Sequence, residues 1–123
     1  MVRANAGGKN IPLYMGMKAV TAITRKYGSL MALREVLSDT ENEDAQNAAT
    51  FFVAHQLNIN ASIIEDCEPS FKSAEIMEAS CRPHEYAPLF VAVCDAIKES
   101  TETSIDAEIV GADSKNVTAT QDT

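Results

Sequence analysis

The chain has 123 residues, 46% of them hydrophobic, a mean hydropathy of −0.11 and a formal net charge of −8. That length suits one domain able to bury a core without a metal or disulfide staple. With 18 acidic residues against 10 basic ones the chain repels phosphate, which excludes a generic nucleic-acid binder, and no apolar run approaches the roughly 18 residues that span a bilayer.

Residues 1–10 read as a flexible lead-in. They contain the Gly7-Gly8 pair and lack the apolar core of a secretory signal, so the expected setting is intracellular. Ile11, Leu13 and Met15 then alternate, which fits a short strand with one buried face. Pro12 has no N–H to donate and places that strand at an edge, or makes it an extended arm. No second strong strand signal follows.

The first helix is expected over Met17 to Tyr27, with Val20, Ile23 and Tyr27 inward and Gly28 as its stop. Ser29 caps a second helix through about Leu37, with Leu30, Leu33, Val36 and Leu37 inward. Thr40 and Glu43 have capping-box spacing, so a third helix is expected from about Glu41 to Leu57. Its inward side reads as Ala45, Ala48, Ala49, Phe52, Val53 and Leu57, with Phe51 outside the stripe. Between Asn58 and Ser70, Ile63 and Ile64 are expected inside. A fourth helix fits about Phe71 to Ala79. The last begins at Pro83 or Pro88 and runs to about Glu99, with Tyr86, Leu89, Phe90, Val93 and Ile97 as its stripe. Residues 100–123 read as a disordered acidic tail or linker, with five acidic residues and Lys115. The sequence therefore predicts a mainly α fold. It is a small bundle of four or five short helices over residues 11–99, with an N-terminal strand or arm and that tail.

No constellation carries chemistry. Cys67, Cys81 and Cys94 are an odd set whose spacings fit no zinc pattern, and they read as free thiols. A Cys81–His84 dyad lacks any local signature. Gly7-Gly8-Lys9-Asn10 lacks the first Gly and the Ser/Thr of a phosphate loop. No enzyme, cofactor or metal is expected. Charge is segregated: residues 1–34 hold six cations and no acid, and the remainder holds four cations and all 18 acids. Such a chain is suited to head-to-tail pairing of copies, or to an acidic partner. Arg25-Lys26-Tyr27-Gly28 is the densest basic group. The adjacent ring pair Phe51-Phe52, with Tyr14, Met15, Arg25 and Lys26, supplies the candidate surface for a partner or a second copy.

One run of local words carries a resemblance. Lys9 to Met15 forms a strand, and Met17 to Tyr27 forms a helix that stops at Lys26-Tyr27-Gly28. A helical middle follows, then a last helix that opens on Pro83-His84-Glu85-Tyr86 and ends in Cys94-Asp95-Ala96-Ile97. Over residues 8–99 this resembles the tail assembly chaperones of long-tailed bacteriophages of Gram-positive hosts. The resemblance implies an oligomeric, non-enzymatic protein of the host cytoplasm. It would coat the tape-measure protein, meet the tail-tube protein during tail morphogenesis, and be absent from the mature virion. It also implies a longer product made by programmed frameshift, and Ser114-Lys115-Asn116 permits a slippery heptamer. A stoichiometric inhibitor of one host protein is the alternative reading. A nucleic-acid accessory protein using Lys18, Arg25 and Lys26 is a third.

Overall fold

The computed structural model describes the backbone of residues 1–109 and the side chains of residues 1–101. The first element is not a flexible lead-in. Strand β1 (Val2–Ala6) pairs antiparallel with β2 (Lys9–Leu13), in the register Ala4 opposite Ile11 and Ala6 opposite Lys9. Gly7 and Gly8 are the two loop residues of the hairpin, with φ of 60° and 77°. Positive φ at both positions is the turn whose twist matches the strands, and glycine adopts it without strain.

A two-residue loop makes Ala6–Lys9 a hydrogen-bonded pair, and pairs then alternate. Pro12, opposite Arg3, falls on a non-bonded pair, so its missing N–H costs the hairpin nothing. Ala4, Ala6, Ile11 and Leu13 share the buried face. On the other face Arg3 Nε donates to Asn10 Oδ1 at 2.6 Å, and Asn10 Nδ2 donates to Asn5 Oδ1 at 3.2 Å.

Five helices follow among the described residues: α1 (Met17–Tyr27), α2 (Leu30–Ser38), α3 (Glu43–Ile64), α4 (Ala74–Ser80) and α5 (Pro83–Ile109). The fold is mainly α with a small N-terminal sheet. The first two helices lie where the sequence places them. Ala19 and Ile23 of α1 and Leu33 and Leu37 of α2 are buried, and Ser29 Oγ accepts from the Ala32 N–H at 3.0 Å.

The third helix differs most from expectation. Its cap is Asn42, which accepts from the Ala45 N–H, rather than Thr40. It runs to Ile64, through Asn58, Asn60 and Ser62, all buried. Ala48 is exposed, as are Ile63 and Ile64, contrary to the inward positions read from sequence. The cause is topological. The central α3 packs against α1 and α2, against β2 and α4, and against α5, so burial beyond Ala49 runs around the helix instead of along one stripe.

Helix α5 begins at Pro83 and carries Pro88 inside it. Pro88 removes one backbone donor. It and His84, whose carbonyl loses that partner, are both exposed residues. The expected acidic tail falls largely outside the described residues. The backbone of α5 continues to Ile109, beyond the expected end near Glu99.

The hairpin tip yields a first prediction. A Cβ at Gly7 would lie 2.9 Å from Ser80 Cβ and 3.3 Å from the Phe71 ring. At Gly8 the nearest atom is Arg82 Nη2, at 3.2 Å, the far end of a flexible side chain. Both positions carry the positive-φ penalty. Gly8→Ala is expected to cost about 1 kcal/mol and Gly7→Ala about 2–3 kcal/mol, read as shifts in the urea midpoint.

Candidate functional site

The sequence singles out six residues for partner contact, and the fold sorts them into three places. Lys26, near the end of α1, meets Phe52 on α3. Its Nζ lies 5.1 Å from the Phe52 ring centre and 5.8 Å from that of Tyr27. Tyr27 and Phe52 meet edge to face, with centroids 6.0 Å apart. Burial raises the Tyr27 pKa, so the phenol stays neutral beside the ammonium. Arg25 precedes this cluster and is exposed.

Phe51 goes elsewhere. It is 5% exposed and packs at 5.7 Å on Tyr86 of α5, whose hydroxyl lies 3.2 Å from Thr50 Oγ1. Phe52 is half-buried. Phe51, expected outside the stripe, is therefore the more deeply buried of the two, and Phe52, expected inward, is only partly covered at the edge of the core. On a helix, adjacent residues point about 100° apart, and α5 takes the Phe51 direction. Phe51→Ala is expected to cost about 3–4 kcal/mol and Phe52→Ala about 1–2 kcal/mol in urea denaturation.

Tyr14 and Met15 leave the hairpin for α1. Met15 is 4% exposed and belongs to the core, whereas Tyr14 is 40% exposed. A groove of about 550 Å³ opens there, lined by Tyr14, Met17 and Val20 on one side and Ala96 and Glu99 of α5 on the other. Met17 stands at its rim, 75% exposed. The sequence offered no signal for this groove, because it forms between elements distant in the chain.

Two asparagines of α3 fix the chain beside it. Gly16, the cap of α1, has no side chain to accept a hydrogen bond. Asn60 Oδ1 takes that place, accepting from the Gly16 N–H at 3.0 Å and the Ala19 N–H at 3.1 Å. Asn58, fully buried, ties β2 to the loop before α4. Its Nδ2 donates to the Pro12 carbonyl and to Ser70 Oγ, each at 3.1 Å, and its Oδ1 accepts from the Ser70 N–H at 2.8 Å.

A second groove, about 730 Å³, holds His55, Lys9, Phe71 and Glu68. Its principal polar atoms are internally engaged. His55 Nε2 bonds the Phe71 carbonyl at 3.1 Å, and Lys9 Nζ donates to the Ser70 carbonyl at 2.8 Å while lying 4.6 Å over the Phe71 ring. A third groove, about 600 Å³, lies between the α2–α3 corner and α5.

Two of the thiols, Cys81 and Cys94, sit where their surroundings disfavour the thiolate. Cys81 Sγ meets the Arg82 carbonyl at 3.7 Å, and burial, with the nearby Glu85 carboxylate, pushes its pKa up. Burial, with Asp95, does the same at Cys94. Activation requires the opposite direction. Among the described residues no His, Cys, Asp and Glu side chains group in a way that could hold a metal ion. No helix of the described residues is long and apolar enough to cross a membrane.

No protein-family model matches the chain, and neither a curated protein nor a solved structure matches it.

Proposed function

We propose that this chain is a phage tail assembly chaperone that binds and solubilises the tape-measure protein by oligomeric binding, without catalysis. The observation that carries the reading is the groove beside α1. It has an apolar lining, one charged lining residue in Glu99, and the exposed side chains of Tyr14 and Met17 at its edge. Such a groove suits the apolar face of a long helical client. An unbranched, polarisable methionine at the rim adapts to a client whose sequence varies along its length.

The reading is also supported by where the resembling words fall. Lys26-Tyr27-Gly28 ends α1, and Pro83-His84-Glu85-Tyr86 opens α5. The tail-tube protein is the second partner on this reading, met in the host cytoplasm through a longer, frameshifted product.

The test is co-production with the tape-measure protein of the same phage. The client is expected to be insoluble alone and soluble with this chain, and Met17→Asp should lose the client while keeping the wild-type circular dichroism. A client that stays insoluble, with one host protein captured at equal stoichiometry, would replace this reading by the inhibitor reading.

A further inference from the structure

The groove between the α2–α3 corner and α5 has a different character. Its floor is Leu37, Phe90 and Ile97, and its charged lining residues are both cations, Arg34 and Lys98. Both are exposed, and among the described residues neither forms an ion pair within 4 Å. Gln46 closes one wall, its Nε2 donating to the Leu37 carbonyl at 2.7 Å. An apolar trough carrying only positive charge runs against the composition of a chain whose net charge is −8. It fits a short segment that interleaves branched apolar side chains with carboxylates.

The chain contains such a segment, Ile105-Asp106-Ala107-Glu108-Ile109-Val110. We propose that this segment of one copy seats in the α2–α5 groove of a second copy, placing Asp106 and Glu108 against Arg34 and Lys98. Its isoleucines then cover Leu37, Phe90 and Ile97. The occupant comes from another copy because the backbone of α5 is helical through Ile109. Asp106 lies eight residues beyond Lys98, about 12 Å further along the axis, and a continuous helix cannot return its own end to its flank. A contact between two different surfaces of identical chains repeats, giving rings or open chains. The proposal rests on the self-association within the chaperone reading and names the contact that produces it.

The experiment is a charge exchange on the full chain, read by sedimentation velocity across concentration and salt. Wild type is expected to form concentration-dependent assemblies that weaken as salt rises. One variant carries Arg34→Glu and Lys98→Glu, and the other Asp106→Lys and Glu108→Lys. Each alone should weaken association about tenfold or more, and an equimolar mixture should restore it, because each reversed surface then meets its complement. Glu102→Gln, which removes the carboxylate four residues from Lys98 on the same helix, should leave association unchanged. The proposal is overturned if wild type is monomeric throughout, if the reversed variants associate normally, or if the mixture fails to recover. Normal association by both variants, with the client still solubilised, would refute this contact and leave the chaperone reading standing.

Discussion

Replacing Asn58 by Ala is expected to lower stability by about 3–4 kcal/mol, among the largest effects of any single side chain in the fold. The residue is fully buried, and its amide makes three hydrogen bonds to groups of two other segments. Truncation leaves the Pro12 carbonyl without its donor inside the core, and the Ser70 N–H without its acceptor. Each abandoned buried group costs about 1–3 kcal/mol, and a cavity the size of the lost amide adds to that. Asn58→Asp separates the two halves of the effect. It keeps an acceptor for Ser70 but loses the donor to Pro12 and brings a carboxylate into the core. Asp should therefore be at least as damaging as Ala at neutral pH, and should recover part of the loss in acid as the carboxyl regains a proton. Urea unfolding at two pH values measures both. Asn60→Ala should cost about 1–2 kcal/mol, the ordinary loss of a helix cap, because its Oδ1 is the acceptor for the Gly16 and Ala19 N–H groups at the start of α1. Hydrogen exchange should then rise at Gly16 to Ala19 and stay unchanged at Ser70.

The same two asparagines explain where sequence reading stops. Period and capping placed α1 and α2 closely, because each has one buried stripe and a local stop. The apolar alternation of Ile11, Leu13 and Met15 likewise located three core residues. In α3 the rule that polar residues face water fails. Asn58, Asn60 and Ser62 are inside, and two of them serve backbone groups more than 40 residues away for which no local pattern exists. Ending the helix near Leu57 leaves Asn58 to Ser70 without a helical face, and apolar character alone then points Ile63 and Ile64 inward. Strand β1 was missed for the opposite reason. Its buried residues Ala4 and Ala6 are weak strand formers, so the alternation Val2-Arg3-Ala4-Asn5-Ala6 is faint. The signal that would have found it is Gly7-Gly8 with alternating residues on both sides, a hairpin turn. For the interaction surface, the sequence picked out Lys26 and Phe52, which do come together. It also picked Met15 and Phe51, which the core takes. Composition identifies sticky side chains but not which of them a neighbouring helix has already covered.

Glu85 gives the second large effect, and its signature is in pH. The residue sits in the first turn of α5, three positions after Arg82, and is 5% exposed. Its Oε1 accepts from the Arg82 N–H at 2.8 Å, which is the return half of a capping box. The same oxygen accepts from the Gly7 N–H at 2.8 Å, and Oε2 accepts from the Gly8 N–H at 3.0 Å. One carboxylate thus starts the last helix and holds the hairpin turn against it. The Arg82 N–H bond, followed by those from Gly8 and Gly7 and the Arg82 charge, holds the carboxyl below its ordinary 4.5 despite opposing desolvation. A folded value below the unfolded one means that the carboxylate favours the native state above about 4.5, and that this contribution disappears as pH falls through the folded value. Glu85→Gln replaces one acceptor by an NH₂ group facing a backbone N–H, donor against donor. The gap in urea midpoint between wild type and Glu85→Gln should therefore be widest near neutral pH. It should narrow as pH falls below 4.5, where the unfolded carboxyl takes up its proton first, and close below the folded value, where the protonated native carboxyl presents the same conflict. Subtracting the variant removes the titration of the other 17 acidic residues, which both proteins share. A gap that stays constant from neutral to acid would show that Glu85 acts by packing alone. Proton-linked narrowing would show that its charge docks the hairpin on α5, and thereby sets the position of β1 against the helix that lines two of the grooves.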